Sequence, residues 1–435
     1  MLFSPPINIR GGWEGLYYFC MQTYAFLLGT HPTLSLAELM SFLDNQKIDH
    51  GELVIFDSIV IIDIKKTPEE VAKLQNELGG IIKTFAIINQ FSGKIFEIEK
   101  ILTPEILLKD LFIQKSKKIN FGISVYSDPD PTYAELNWLT NFAHGIKKKL
   151  KDEYSIRYVE DRGWHLSSVQ VERNRLIDTG AEIALIRNGH DFYLGKTLTV
   201  QDYKSYSQRD WDKPSPDAKS GMLPPKLAQM MVNLTRDKET KTIYDPFCGS
   251  GIVLQEAMML GLKIYGSDIS PEAIKNTISN LEWLAKLKKI AAGKISLRVK
   301  VADATNYEWP ALDSPDTVIV AEPYLGPALR MAPFAPQAQT ILKELSQMYL
   351  GFFSNLKRNF PQIKRVGLVL PVIRSRDGLK YLNILDEVAS LGYIRKLILP
   401  AEIIKKDAGV SPRGGFLYSR PDQLVLREIF VFEKQ

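Results

Sequence analysis

Residues 243–254 read Ile-Tyr-Asp-Pro-Phe-Cys-Gly-Ser-Gly-Ile-Val-Leu, and no other stretch limits the fold of this chain as tightly. An apolar strand end runs into Asp245-Pro246, then a tight Gly249-Ser250-Gly251 turn, then an amphipathic helix. Val253, Ala257 and Leu260 share one face of that helix, and Gly261 stops it. A strand, a glycine turn and a helix in that order bring backbone N–H groups and the positive helix end up to a ligand. The third glycine of a dinucleotide fingerprint would fall at position 254, which is Leu254, so a nicotinamide cofactor is disfavoured.

The next segments repeat the pattern. Lys263–Asp268 is a short strand ending in an acid, followed by Ile269, an N-cap at Ser270 and Pro271 at the first helical position. A carboxylate at the C-terminal end of a second parallel strand is where a ribose diol would be gripped. A third strand, predicted over 296–302, ends in Asp303-Ala304. A fourth, Asp316–Ala321, is a short apolar run of the kind buried in a parallel sheet, and it leads into Glu322-Pro323-Tyr324-Leu325-Gly326-Pro327.

Together these segments resemble class I S-adenosylmethionine-dependent methyltransferases, in the Asp-Pro-Phe-Cys-Gly-Ser-Gly form found in RNA and DNA amino-methyltransferases. The resemblance implies S-adenosylmethionine as cofactor. Gly249 and Gly251 would let the backbone approach its methionine end, Asp268 would hold its ribose and Asp303 would face its adenine, with Asp245, Pro246, Cys248, Ile269 and Ala304 as further cofactor-binding candidates. Enzymes of this class carry Asp/Asn-Pro-Pro-Tyr/Phe after the fourth strand. The lone pair of a base amine is delocalised into the ring, so it needs acceptors that orient its N–H protons and an aromatic ring that stacks on the base. Here Ala321 takes the usual acceptor position and Glu322 that of the first proline. Two readings stand. Glu322 supplies the acceptor oxygen from one residue later, with Pro323 and Tyr324 completing the catalytic turn, or the acceptor is missing and the chain binds RNA without methylating it. A carboxylate beside Pro-Tyr is costly to place in a dry site without a use, which favours the first.

At 435 residues the chain is too long for one ordinary core and suggests two or three domains. Its formal charge of +5 permits nucleic-acid binding without requiring it. Cys20 lies in an apolar segment and Cys248 in the glycine loop, so a disulfide framework is not expected and a reducing cytoplasm fits. Neither the cysteines nor the five histidines show metal-ligand spacing, so no metal is expected. The apolar run Tyr17–Leu28 is interrupted by Gln22 and Thr23 and is too short to cross a bilayer. Residues 1–22 read as an N-terminal extension, and Met21 is a candidate start.

From residue 23 the elements alternate: strand 24–28, helix 34–43, strands 53–56 and 59–64, a helix opened by a capping box at Thr67 and ending at Gly79-Gly80, and strand 84–88. This βαββαβ order is ferredoxin-like and is assigned residues 23–92. A second unit, 93–195, has a strand over 117–126, a helix over 133–150, a strand over 156–159, and Leu166-Ser-Ser leading into a helix. It resembles the THUMP domain of tRNA-modifying enzymes. Lys147, Lys148, Lys149, Lys151, Arg157, Arg162, Arg173 and Arg175 cluster there with Tyr158 and Trp164 interleaved, a group suited to tracking a phosphate backbone. The linker 196–225, with Arg209-Asp210 and Leu223-Pro-Pro-Lys226, looks like the segment joining THUMP to catalytic domain in tRNA guanosine-10 N2-methyltransferases. In that family the stretch folds over the cofactor site, and Arg209 and Lys226 become candidate substrate contacts. Residues 226–435 would be the doubly wound, Rossmann-like α/β methyltransferase domain, closed by the strand Leu426–Phe432. The implied partners are tRNA and, as the resemblance allows, a small activating subunit, with no membrane. Two alternatives stay open: a related methyltransferase acting on another RNA or DNA base, and a non-catalytic tRNA-binding protein that retains the cofactor.

Overall fold

The computed structural model describes residues 21–112, 118–161, 163–216, 222–400, 403 and 409–435. The expected N-terminal extension up to residue 20, Arg162 and the linker residues 217–221 lie outside the described residues. The chain divides into two compact units. One is drawn from the residues up to Leu27, Ile48–Gln75 and Lys83–Val200, the other from Leu28–Lys47, Asn76–Ile82 and Gln201–Gln435.

The first unit is built on a single sheet whose strands are β1 (Gln22–Leu28), β2 (His50–Phe56), β3 (Ile59–Ile64), β4 (Ile81–Ser92), β5 (Lys118–Asp128), β6 (Ser155–Tyr158), β7 (Ala181–Asn188) and β8 (Asp191–Val200). Their order is β2-β3-β1-β4-β8-β7-β5-β6. Along the chain the elements up to β4 follow the predicted βαββαβ order, although the first helix of that order groups with the second unit, and the capping box at Thr67 forms: its side chain accepts the Glu70 N–H while Glu70 reaches back to the Thr67 N–H. That helix stops at Leu74, before the predicted Gly79-Gly80, and Gln75–Glu77 tighten into a 3₁₀ turn. β4 runs on to Ser92 and pairs with β8, so strands from before and after residue 93 share one sheet. At its centre Lys83 donates to Glu182 Oε1 (2.6 Å) and to the Leu166 carbonyl (2.6 Å), while Ser124 and Thr197 donate to Glu182. Both charges are buried, and the pairing satisfies them where water cannot. The contact also holds Leu166 at the entry to the short helix Ser168–Arg173, whose Ser167 forms another capping box.

The second unit takes the helix Pro32–Asn45 from the N-terminal region. Its Glu38 is buried and accepts the Gly79 and Gly80 N–H groups (2.8 and 2.7 Å) and the Asn233 amide (2.7 Å). Burial pushes this carboxyl up to about 7. The unit's main sheet contains β9 (Thr242–Asp245), β10 (Lys263–Asp268), β11 (Val299–Val301), β12 (Thr317–Ala321), β13 (Arg365–Ser375), β14 (Gly378–Tyr381), β15 (Tyr393–Arg395), β16 (Phe416–Tyr418) and β17 (Val425–Lys434). The order is β11-β10-β9-β12-β13-β17-β15, with β14 paired to β13 and β16 to β17. The first five are parallel; β17 inserts antiparallel between β13 and β15. β11 is shorter than predicted because Ile295–Leu297 coil into a 3₁₀ turn. The chain steps one way from β9 to β10 and β11, then returns past β9 to β12 and β13. This is the Rossmann-like, doubly wound pattern, and the switch point lies between β9 and β12, where such sheets open a crevice for ligand. The long helix Ala335–Asn359 packs Tyr349, Phe352, Phe353 and Leu356 into the core beside it. Among the described residues no helix is long and apolar enough to cross a membrane.

Candidate active site

Every residue of β9 is buried, and it delivers Asp245 to the switch point. Asp245 Oδ1 accepts the Phe247 N–H at 3.0 Å, turning the chain through Pro246 and Phe247. The turn is closed by the Cys248 N–H on the Ser267 carbonyl (2.9 Å) and the Gly251 N–H on the Cys248 carbonyl (2.7 Å). Gly249 (φ 51°) and Gly251 (φ 85°) both occupy the left-handed region, which side chains disfavour. A Cβ on Gly249 would meet nothing within 4 Å, so the turn faces open space that a ligand can enter; one on Gly251 would press on Thr277 at 3.0 Å. Gly251 caps the helix Ile252–Met259, whose first N–H groups have no partner within the helix.

Asp268 ends β10 and ties the two loops together. Its Oδ2 accepts the Gly249 N–H at 3.0 Å and its Oδ1 the Ser270 N–H at 2.9 Å. Each oxygen of a carboxylate has a second lone pair, so the group remains able to accept from a diol. Ile269 beside it is 70% exposed, an apolar surface with no protein cover. Asp303 follows β11 and accepts the Thr305 N–H (2.9 Å) and hydroxyl (2.8 Å) through Oδ1; Ala304 behind it is buried.

β12 is wholly buried, ending in Ala321. Glu322, the next residue, is gripped by Arg427 of β17: Nη2 and Nε donate to Oε1 at 2.9 and 3.2 Å, and Nε donates to Oε2 at 3.0 Å. Pro323 is buried, while Tyr324 is 59% exposed. The buried Tyr349 hydroxyl is shared between the Tyr324 and Val369 carbonyls (3.4 and 3.2 Å), which fixes the turn that presents the Tyr324 ring.

The electrostatics follow from burial. Asp245 is pushed well above the ordinary carboxylate range by desolvation, with the charges of Asp268 and Glu322 adding to it. Burial raises Glu322 too, and Arg427 opposes the rise. The Cys248 thiol is buried and pushed up, chiefly by desolvation and then by Asp245, so it stays protonated and contributes backbone rather than a reactive sulfur.

Asp245, Asp268 and Glu322 therefore meet electrostatically at one sheet edge, and Gly249 and Gly251 share it. Arg209 does not belong to a substrate surface. It is 4% exposed, donates to Glu256 (2.6 and 3.1 Å) and Ser205 (2.6 Å), and lies over the Tyr206 ring at 4.5 Å. This corrects the expectation of an RNA contact, because a guanidinium enclosed this way cannot reach a phosphate. Lys226 is half-buried, its Nζ 5.3 Å from the centroid of the same Tyr206 ring, and burial lowers its pKa. In the first unit Lys147, Lys148, Arg157, Arg173 and Arg175 are all exposed. Arg175 is 3.8 Å from Asp178.

Sequence reasoning missed the residues that brace the site. Thr277 donates to the Gly249 carbonyl at 2.7 Å, and Asn280 donates to the Ser250 and Ser215 carbonyls (2.9 and 3.0 Å) while accepting the Ser215 N–H (2.9 Å). Asn280 thus fastens the linker to the glycine loop. Both polar side chains sit one turn apart on an otherwise amphipathic helix, Pro271–Lys288, and that spacing was the available signal. Arg427 and Tyr349 left none. Among the described residues no cluster of His, Cys, Asp and Glu could hold a metal ion.

Residues 213–328 match the family model of the RMKL-like methyltransferase domain. The chain is similar to the tRNA (guanine(10)-N2)-dimethyltransferase of Methanocaldococcus jannaschii, 26% identical over 268 residues, covering 60% of this chain and 73% of the relative. Its counterpart in Methanothermobacter thermautotrophicus is 24% identical over 358 residues, covering 81% and 89%. Among solved structures, TrmN from Thermus thermophilus superposes with a TM-score of 0.49 at 16% identity, covering 96% of this chain and 100% of that one.

Proposed function

We propose that this chain, which carries an RMKL-like methyltransferase domain over residues 213–328, transfers a methyl group from S-adenosylmethionine to the N2 amine of a tRNA guanosine, the one at position 10 named for its archaeal relatives. The observation that carries the reading is the convergence of the left-handed glycine loop, the Asp268 strand end and the Glu322-Pro323 turn with its exposed Tyr324 ring on one sheet edge at the switch point.

When bound, S-adenosylmethionine supplies an electrophilic methyl group and departs as a neutral thioether. The open face of Gly249, in a loop that Gly251 closes, suits the approach of its methionine end. Asp268, held by two backbone N–H groups, suits its ribose; Ile269 and Asp303 suit the faces and edge of its adenine. The Glu322 carboxylate accepts an N–H of the target amine, which turns the nitrogen lone pair out of conjugation and towards the methyl carbon. As the new N–C bond forms, the surplus proton becomes acidic and passes to Glu322 or to water, so little base strength is needed. Tyr324 offers its ring face to a base taken out of its stack.

Lys147, Lys148, Arg157, Arg173 and Arg175 support a tRNA-binding role for the first unit by their exposure and sign. We read residues 23–92 as ferredoxin-like, 93–195 as THUMP and 226–435 as catalytic, working in the cytoplasm. The testing experiment is methyl transfer from labelled S-adenosylmethionine to unmodified tRNA transcripts, followed by nucleoside mass spectrometry. N2-methylguanosine is the expected product. No product despite measurable tRNA and cofactor binding refutes the reading for the chain alone, and the same assay with added cell extract tests for an activating subunit.

A further inference from the structure

The acceptor position of this site has been rebuilt. Ala321 is a fully buried methyl group at the end of β12, and the nearest carboxylate, one residue later, is bound on both oxygens by an arginine 105 residues away. Arg427 is 3% exposed and sits in register opposite Pro371 of β13, while Ala321 of β12 pairs with Leu368 of the same strand. Two strand spacings, about 10 Å, separate the backbones of β12 and β17. A side chain as long as arginine meeting one as long as glutamate closes that gap; an aspartate at 322 would fall short by about 1.5 Å, one methylene.

Resting on the functional reading above, we propose that Arg427 is a positioning residue of the methyl-transfer site: it grips Glu322 across β13, fixes its direction, and keeps it an ionised, acceptor-only group, so that glutamate does from position 322 what Ala321 cannot do from the preceding one.

The lone-pair inventory supports this. An ionised carboxylate has about four acceptor sites. The side-on grip of Nε and Nη2 occupies one side of both oxygens and leaves the outer lone pairs for a base N–H. A protonated carboxyl would instead present an O–H to an amine that must donate, and would turn the amine the wrong way. The groups facing Glu322 are Arg427 from β17, Asp245 from the end of β9 and Tyr349 from the helix Ala335–Asn359. Burial favours the protonated form, while Asp245 and Tyr349 are each raised well above their ordinary ranges, chiefly by their own burial, and Tyr349 carries no charge at neutral pH. Of these groups Arg427 alone favours ionisation.

The test is single-turnover methyl transfer from labelled S-adenosylmethionine to tRNA transcript, from about pH 6 to about pH 9, for the wild type, Arg427→Met, Arg427→Lys and Glu322→Asp. Cofactor affinity and thermal unfolding are measured on each. Arg427→Met should bind cofactor within about twofold of wild type and be slow at low pH, its rate climbing about tenfold per pH unit as Glu322 ionises unaided. Arg427→Lys keeps a charge without the fork and should retain the wild-type profile at reduced rate. Glu322→Asp, withdrawn from the arginine, should show the slope of Arg427→Met, and it decides the matter if Arg427→Met does not fold. A folded Arg427→Met that matches wild type, or is equally slow at every pH, overturns the proposal, as does a Glu322→Asp of wild-type rate and profile. Absence of N2-methylguanosine from the wild type overturns the functional reading instead, so the two failures are distinct.

Discussion

Replacing Arg209 by methionine should unfold the second unit early while leaving tRNA affinity intact. The substitution keeps most of the side-chain volume but leaves Glu256, 1% exposed, without the fork that holds both of its oxygens. Breaking a buried ion pair by removing one partner costs about 3–5 kcal/mol, because an uncompensated charge remains in the interior. Two further losses push the same way: the Ser205 hydroxyl loses one donor, and the Tyr206 ring loses a cation on its face, worth roughly 1 kcal/mol. One feature moderates the cost: Lys213 also stabilises the Glu256 charge electrostatically. A loss of about 3–4 kcal/mol is therefore expected, a fall in Tm of roughly 6–16 °C for a unit of this size. Urea unfolding followed by tryptophan fluorescence measures it, and Arg209→Met/Glu256→Met should recover most of the loss, since an apolar pair of similar volume replaces a buried salt bridge without penalty. Stability within about 0.5 kcal/mol of wild type, together with weakened tRNA binding, would refute the argument and return Arg209 to the RNA surface.

Glu38 gives a pH prediction for the same unit. Its pKa is raised from 4.5 to about 7 by burial, so its contribution to stability is fully present below pH 4.5 and is lost as pH rises through 7, on the order of 3 kcal/mol in all. Unfolding free energies across that window should fall with pH in the wild type and flatten in Glu38→Gln; a parallel slope in both would exclude Glu38 as the source. Asp268→Ala removes the acceptor for the Gly249 and Ser270 N–H groups as well as the proposed ribose contact, and should weaken S-adenosylmethionine binding at least about tenfold by calorimetry. Unchanged affinity would sink that assignment. Tyr324→Ala removes an exposed ring whose stacking on a base is worth about 1–3 kcal/mol, so kcat/KM for tRNA should drop roughly 5–150-fold with cofactor affinity kept; a loss of cofactor affinity instead would mean that the ring belongs to the other ligand.

How far the sequence could be read depended on the distance over which each interaction acts. The turn from Asp245 to Gly251 was legible because a buried strand, two glycines able to take positive φ and an amphipathic helix are all encoded within a dozen residues. The capping box at Thr67 formed because its two partners lie three residues apart. Boundaries were less legible where local preference competed with packing, as in the shortened β11 and the helix that ended at Leu74. Arg209 was misjudged because an arginine in a polar linker looks solvated until the helix carrying Glu256 is placed against it.

By itself the sequence determined the alternating elements, the acidic strand ends at Asp245, Asp268 and Asp303, and the departure at Ala321-Glu322, since each rests on hydrophobic period, turn chemistry or side-chain type within one element. Only the tertiary structure decided that the helix Pro32–Asn45 belongs to the second unit, that Asn280 ties Ser215 to Ser250, and that Arg427 reaches Glu322. These contacts join residues dozens to more than a hundred positions apart. Their partners are chosen by strand order and by the need to pair every buried charge, and neither is written in any local stretch of the chain.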